Sequence, residues 1–295
     1  MRVTSMVPNV QYNIQQSEQS VNTALQQLST GRRVLQLSDD PSASANMVRS
    51  LASSANVDRY TSNTTNVLAR LQTADSALST VVTSLNQAIT LGTNGANGTN
   101  NATNRQQIAT QVQGILTTVI SQANTSYQGS YLFAGTASDT PPFVADSTSP
   151  TGYTYVGNSG VNTAQVGDSM TVPTNTPGDQ IFSSGANVIA SLSQLVTALQ
   201  SGSTTDIATA TTAVTNALNY VDQQRVPMDN TITQLNSQET FLGQETVSLT
   251  SQQTSLVGID TATAATNVTQ AETAQNAVYA AAAKVLPQSL LNYLQ

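Results

Sequence analysis

Residues 42–91 have the sequence SASANMVRSLASSANVDRYTSNTTNVLARLQTADSALSTVVTSLNQAITL, whose apolar residues recur with a helical period. From Leu68 onward the intervals alternate between three and four, which predicts an amphipathic helix interrupted on its apolar side by Asp75. That side carries Met47, Leu51, Val57, Leu68, Leu71, Leu78, Val82, Leu85 and Ile89. At a rise of about 1.5 Å per residue, about 50 residues span roughly 75 Å, which is too long for a compact sphere. The segment therefore predicts a helical rod or bundle.

The N-terminal segment, about residues 10–37, has an apolar repeat of seven residues. The repeat consists of Ile14, Val21, Leu28 and Leu35, and Leu25 widens the stripe. A strict repeat of seven favours coiled-coil packing against another helix. The pattern breaks at residues 37–41, where Asp40 can cap the next helix and Pro41 suits its first turn.

The C-terminal part of the chain returns to helical patterns near Ala186. A long helix is predicted there, with Pro227 within it or at its start, and Leu242, Leu249 and Leu256 are again seven residues apart. A last helix is predicted over about 262–294. Because both ends of the chain carry seven-residue stripes, the economical arrangement places the two terminal helices side by side.

The middle of the chain has a different character. Residues 92–101 (GTNGANGTNN) have the composition of a loop, and a further helix is predicted at about 103–127. Residues 130–183 contain most of the prolines, with short strands predicted at 153–156 and 170–172.

We therefore predict a mainly α fold: a long antiparallel helical bundle or coiled-coil rod formed by both termini, with a small β-rich inserted domain. The predicted domains are terminal coiled-coil helices at 1–40 and 256–295 (an assembly domain), a helical rod at 41–129 and 184–255, and the β insert at 130–183.

The composition argues against an enzyme and against a nucleic-acid binder. Charged residues make up 8% of the chain, against about 25% in ordinary soluble domains, and the net charge is −7. Beyond Arg32–Arg33, no basic cluster exists that could neutralise phosphates. His and Cys are absent, which removes most catalytic triads, thiol nucleophiles and transition-metal sites, so no cofactor is expected. No stretch of 18 apolar residues occurs, so no membrane insertion is expected.

Several features allow two interpretations. Asp39 and Asp40 could form a catalytic carboxylate pair, but a helix cap before Pro41 explains them more simply. Asp75 either sets the register of the bundle or lies at the edge of the apolar stripe. The Arg32–Arg33 pair either contacts an anionic partner or belongs to a solvated face or an ion pair between subunits. The seven-residue stripes fit an ordinary intramolecular bundle, or terminal helices whose apolar faces only identical neighbours can cover.

Residues 25–51, LQQLSTGRRVLQLSDDPSASANMVRSL, resemble the N-terminal block of the flagellin superfamily. In that block a Leu-Ser-Ser/Thr-Gly-x-Arg turn precedes a helix start with paired Asp residues. The matching residues are Leu28, Ser29, Thr30, Gly31, Arg33, Asp39, Asp40 and Pro41. The Asp-Asp-Pro form is more typical of the hook–filament junction proteins of this superfamily than of filament flagellins.

A second block, residues 123–143 (ANTSYQGSYLFAGTASDTPPF), is similar to the same junction branch. Its matching residues are Gly129, Tyr131, Leu132, Phe133, Gly135, Pro142 and Phe143. The exit from the insert at residues 172–182 and the ending SLLNYLQ at residues 289–295 are also similar to that branch. Residues 258–275 lack the acidic Asp-x-Asp block that is common in the family.

The resemblance implies a structural subunit of the bacterial flagellum, placed between hook and filament as a ring of identical subunits. It implies export through the flagellar type III apparatus to an extracellular position. The implied partners are further copies of the chain, the hook protein, a second hook-associated junction protein, flagellin, and a cytoplasmic export chaperone at the C-terminal segment. The implied assembly interface consists of Ile14, Val21, Leu25, Leu28, Val278, Leu286, Leu290 and Leu294.

Two other functions remain open on the sequence. A filament flagellin would share the fold and would polymerise indefinitely. A secreted helical adhesin would use the β insert to bind a surface ligand. A hydrolytic insert is disfavoured, because residues 130–183 contain no His, Cys, Glu or Lys.

Overall fold

The computed structural model of the chain describes residues 6–291 and is built mainly from α-helices in that range. The helices are α1 (Met6–Thr30), α2 (Pro41–Gly95), α3 (Ala102–Ala123), α4 (Val188–Ser201), α5 (Thr204–Val257) and α6 (Thr261–Leu291). The short strands are β1 (Ser126–Tyr127), β2 (Ser130–Tyr131), β3 (Phe143–Ala145), β4 (Tyr153–Tyr155), β5 (Thr163–Gln165) and β6 (Thr171–Pro173). A π-helical turn, Asp179–Ser183, precedes α4. The prediction of a mainly α fold with a small β-rich insert is confirmed.

The chain divides into two compact units. The terminal unit combines the residues up to Asn56 with those from Gln244 onward, and the central unit is Val57–Gly243. In the terminal unit α1 packs against α6, which confirms that the two terminal helices lie side by side. The finer division into three domains remains a prediction.

The core of the central unit lies between its helices and the insert. Each strand of the insert pairs antiparallel with the next one, and Phe143 lies opposite Tyr155. Separate two-stranded hairpins are barely stable alone in water, so these depend on packing against the helices. Fully buried side chains of the core include Leu78, Leu85, Val112, Val119, Phe133, Ile181, Phe182, Leu192, Leu195, Val214 and Leu235.

The helix α2 extends through residues 92–95, which local composition assigns to a loop. The reason is close packing inside the central unit. A Cβ atom added to Gly92 would overlap the Thr211 side chain, and one added to Gly95 would overlap Leu199. Glycine is therefore required at positions 92 and 95, because neighbouring helices approach closely there. This packing outweighs the local preference of the segment for a turn.

The helix α1 ends at Thr30, whereas the sequence predicts an end near residue 37. Gly31 has a φ of +66°, in the left-handed region that glycine adopts without strain. Its amide donates to the Gln27 carbonyl oxygen at 2.9 Å, a bond that closes the helix C-terminus. At the end of α3 a similar shortening occurs, since the helix stops at Ala123 and not near residue 127.

Asp75 forms an ion pair with Arg225 across the central unit. The Arg225 Nη2 and Nε atoms lie 2.7 Å and 2.9 Å from Asp75 Oδ1. The side chains of Asp75 and Arg225 are 28% and 21% exposed. The interruption of the apolar stripe on α2 thus has a partner on α5, which supports the interpretation that Asp75 sets how these helices align.

The stretch Asp179–Ser201 is long and apolar enough to cross a membrane by composition, with a mean hydropathy of 1.2 in its most apolar window. Half of that window is buried. Its large apolar residues Leu192, Leu195 and Leu199 belong to the core of the central unit. This burial is typical of a core helix.

Candidate assembly interface

Residues of the N-terminal sequence block meet the C-terminal arm in the terminal unit. The Arg33 amide donates to the Val257 carbonyl oxygen at 2.7 Å, and the Ile259 amide donates to the Gly31 carbonyl oxygen at 3.0 Å. These bonds form a short antiparallel bridge between distant parts of the chain. We call residues 31–40 and 256–259 the clasp.

The side chain of Arg33 strengthens the clasp. Its Nη2 atom lies 3.1 Å from Asp40 Oδ2 and donates to the Leu256 carbonyl oxygen at 3.2 Å. Asp40 Oδ1 accepts the Ala43 amide at 3.0 Å and so caps α2. The Ala43 backbone bond, followed by the Ser42 hydroxyl and Arg33, lowers the pKa of Asp40 to about 2. The capping prediction for Asp40 is confirmed, and Arg33 makes its ion pair within the chain.

Asp39 binds a different backbone segment from Asp40. Its Oδ2 atom accepts the amides of Leu35 and Gln36 at 2.9 Å and 2.8 Å. Pro41 then begins α2. Asp40 thus caps α2, whereas Asp39 stabilises the turn before the helix, and both arrangements support a structural role over catalysis. Among the described residues, no group of three Asp or Glu side chains could hold a metal ion.

The helices α1 and α6 run antiparallel from the clasp. Farther along, the Tyr279 hydroxyl donates to Glu18 Oε1 at 2.9 Å. This hydrogen bond raises the pKa of the Tyr279 phenol. Small side chains permit close approach of the two helices. The buried residues on the facing sides include Ala24, Ala264, Val268 and Ala282.

The predicted assembly residues are only partly covered by this pairing. Leu25 is 44% exposed. The half-buried members are Ile14, Val21, Leu28 and Val278. Leu286 and Leu290 belong to α6, but their side chains, like the whole of Leu294, lie outside the described residues. The role of this set in assembly remains a prediction.

A groove of about 530 Å³ lies between α1 and α6. Ten residues line it: Val10, Asn13, Gln16, Ser17 and Ser20 of α1, and Ala271, Ala274, Val278, Ala281 and Ala282 of α6. Apart from Gln16 and Ala282, the positions on each helix alternate at intervals of three and four, which is the spacing of a coiled-coil seam. The small side chains would let a third helix approach closely. Sequence reasoning missed most of this seam, because it searched for large apolar residues and the seam consists mainly of Ala, Ser and Asn.

The terminal unit also exposes large apolar side chains. Most of the exposed ones in the described part of the chain belong to this unit: Tyr12, Leu25, Leu37, Val48, Leu51, Val247 and Tyr279. Leu37 lies in the clasp and is 75% exposed. These side chains are accessible for contact with another protein.

The second sequence block, residues 123–143, builds the aromatic core of the insert. Phe182 makes edge-to-face contacts with Phe133 and Phe143, with ring centroids 5.5 Å and 5.6 Å apart. The Tyr155 hydroxyl lies 3.0 Å from the Phe133 carbonyl oxygen. Leu132 is also buried. This block is thus structural within the chain, and the sequence did not single out Tyr155 as its partner.

The polar and backbone contacts of this block fix its turns. Asn124 Nδ2 donates to the Phe143 carbonyl oxygen at 2.8 Å, and its Oδ1 accepts the Phe143 amide at 2.9 Å. Gly135 has a φ of +72°, and an added Cβ would overlap the Asn158 backbone. The remaining motif residues lie in the same hairpins: Gly129 in the turn between β1 and β2, Tyr131 in β2, and buried Pro142 directly before β3. No pattern in the sequence indicates the roles of Asn124 and Asn158.

Two family descriptions match the chain. "Bacterial flagellin N-terminal helical region" matches residues 4–138, and "Bacterial flagellin C-terminal helical region" matches residues 211–294. The flagellar hook-associated protein 3 of Escherichia coli (strain K12) is 28% identical over 281 residues, which cover 87% of each chain. The protein of the same name from Salmonella typhimurium is 33% identical over 160 residues, covering 54% of this chain and 49% of that one.

Solved structures share the fold. The crystal structure of Bacillus cereus FlgL superposes with a TM-score of 0.59 at 24% identity, covering 71% of this chain and 99% of that one. The flagellar junction protein FlgL from Legionella pneumophila gives a TM-score of 0.62 at 14% identity, covering 72% of this chain and 100% of that one. At these identities the likeness concerns the fold alone.

Proposed function

We propose that the chain is a structural, non-catalytic subunit of the bacterial flagellum at the junction between hook and filament, since its N-terminal and C-terminal regions both match the bacterial flagellin family. The observation that carries the proposal is the similarity to the E. coli hook-associated protein 3 along 87% of both chains. The Tyr-Leu-Phe motif at residues 131–133 and the Pro-Phe motif at 142–143 favour the junction over the filament, because they resemble the junction branch.

The groove between α1 and α6 is the contact that we assign to assembly. A helix of a neighbouring subunit packs there, with its side chains between Ser17 and Ser20 on one wall and Ala274 and Val278 on the other. Removing the exposed apolar side chains of the terminal unit from water supplies the driving force. A closed ring of identical subunits follows if this contact is repeated around an axis.

Export precedes assembly in this proposal. The chain leaves the cytoplasm through the flagellar type III apparatus and works outside the cell. A cytoplasmic chaperone covers the C-terminal segment before export, and the hook protein, a second hook-associated protein and flagellin adjoin the subunit in the flagellum. The absence of cysteine from the sequence is compatible with this route, since no disulfide has to form.

The test compares two substitutions on one helix. Val278→Glu places a carboxylate in the groove, while Ala280→Glu places the same group on an exposed position of α6 outside the groove. Burying an unpaired carboxylate costs more than about 1.4 kcal/mol, a factor of ten in occupancy. Val278→Glu should therefore lower incorporation into flagella at least tenfold, and Ala280→Glu should leave it unchanged. Circular dichroism of both purified monomers checks that α6 remains folded.

Quantitative mass spectrometry of sheared flagella gives the readout. A trace amount of the wild-type chain at the hook-proximal end supports the junction role. An amount comparable to the main filament subunit makes the chain a filament flagellin. Complete absence from flagella refutes both and leaves a secreted binding module.

A further inference from the structure

Arg70 of α2 differs from Arg105 and Arg225 of the central unit, because residues 6–291 supply no hydrogen-bond acceptor for its Nε atom. Arg225 is paired with Asp75, and Arg105 donates to the carbonyl oxygens of Gly95 and Gly202 at 3.2 Å and 3.0 Å. The Nε atom of Arg70 is buried, and no acceptor for it occurs among residues 6–291. Desolvation lowers the pKa of the Arg70 guanidinium, and no carboxylate in the described part of the chain offsets this effect. A buried donor without an acceptor is uncommon in native proteins, so this one requires an explanation.

Arg70 is one of the residues that line a cavity of about 390 Å³. Its other polar or aromatic lining residues are Asn66, Tyr127, Gln128, Ser130 and Thr174. These side chains offer amide and hydroxyl hydrogen-bond donors, and the lining contains no Asp or Glu. The cavity therefore has a positive charge and several donors, without an anion of its own.

The hairpin wall of the cavity has an unusual residue in its turn. Gln128 has a φ of +51° and Gly129 a φ of +80°, which is the pattern of a two-residue type I′ turn between β1 and β2. Asn, Asp or Gly is the ordinary choice at the first of these positions, since they tolerate a positive φ. Gln128 occupies it at some backbone cost and lines the cavity with a longer amide side chain.

From this geometry we infer that the Arg70 cavity binds a carboxylate group. A guanidinium presents its N–H groups in one plane, and this arrangement matches the two oxygens of a carboxylate. One cation in the cavity balances one carboxylate, whereas a doubly charged phosphate would call for further basic residues, and the lining has none. The amide and hydroxyl groups around the guanidinium then complete the hydrogen bonding of the bound oxygens.

The carboxylate has two sources, a free small molecule or an acidic side chain of a second copy of the chain. The chain carries 16 Asp and Glu residues against 9 Lys and Arg residues, so every copy offers acidic side chains to a neighbour. The cavity binds the same group in either case. The inference does not depend on the junction role, because it rests only on residues of the central unit.

The test follows the side-chain Nε–H resonance of Arg70 by ¹H–¹⁵N NMR on the full chain, assigned through its own side-chain carbons. Sodium acetate is titrated at constant ionic strength against sodium chloride. We expect the Arg70 resonance to shift and to saturate at millimolar acetate concentrations, because binding forms one charge-assisted pair. The matched control is the Arg225 resonance, which should not move because Asp75 already holds that group.

A dilution series without acetate distinguishes the second source. A shift of the Arg70 resonance with protein concentration, accompanied by self-association that Arg70→Gln abolishes, identifies a side chain of a second copy. A shift with acetate at low protein concentration identifies a site for a free carboxylate. If the Arg70 resonance moves in neither series, or moves equally in chloride, the inference is wrong.

Discussion

Replacing Asp75 and Arg225 by alanine, singly and together, tests the ion pair that joins α2 to α5. The two contacts of 2.7 Å and 2.9 Å are hydrogen bonds between charged groups, which are worth about 1.5–3 kcal/mol when well shielded. Exposed ion pairs contribute only about 0.2–1 kcal/mol. With side chains 28% and 21% exposed, this pair lies between the two cases, and we expect a coupling free energy of about 1–2 kcal/mol. Urea unfolding followed by circular dichroism measures it.

The same arginine provides the matched control. Arg225 Nη1 lies 3.9 Å from Asp222, whose side chain is 51% exposed. The Asp222→Ala and Arg225→Ala cycle should therefore give a coupling below about 0.5 kcal/mol. Equal couplings for Asp75 and Asp222, or a coupling of Asp75 to Arg225 near zero, would refute the view that this pair fixes the alignment of α2 and α5.

Two further predictions concern the insert and the clasp. Gly135→Ala should destabilise the chain by more than about 2 kcal/mol, because it adds an overlap with Asn158 to the cost of a positive φ. Gly129→Ala, with a φ of +80° and open space around it, should cost only about 1 kcal/mol, and equal melting temperatures for the two variants would contradict the packing argument. For Asp40, the folded pKa of about 2 lies below the ordinary 3.8, so its stabilisation is present above pH 3.8 and is lost as the pH falls through about 2. Asp40→Asn should flatten the acid unfolding curve in that window, and an unchanged curve would exclude Asp40 as its cause.

Local patterns in the sequence were sufficient to predict the presence of the main helices, the insert and the pairing of the terminal arms, although not the ends of α1, α2 and α3. The stripe of Ile14, Val21 and Leu28 was sufficient to predict the helix that contains it. The position of a residue along a helix determines the face on which its side chain lies. The cap at Asp40 is equally local, since its bond reaches only three residues ahead. The similarity of residues 129–143 to the junction branch also predicted the family, although those residues turned out to stabilise the insert from within.

Most residues of the groove between α1 and α6 were not predicted from the sequence. Among the predicted residues whose side chains the structure describes, Val278 alone lines it. Alanine and serine carry little hydrophobic signal in a sequence, and a seam of small residues becomes visible only when two helices are placed beside each other.

By itself, the sequence determined most of the helical segments and which ends pair, since periodicity and capping depend on neighbours along the chain. The tertiary structure decided the features that depend on distant residues. It made residues 92–95 helical by packing Gly92 against Thr211, and it gave Asp75 a partner 150 residues away in Arg225. It also left the Arg70 Nε atom without an acceptor among residues 6–291. Such contacts join segments whose separation in sequence carries no information about their distance in space, so only the packed chain could specify them.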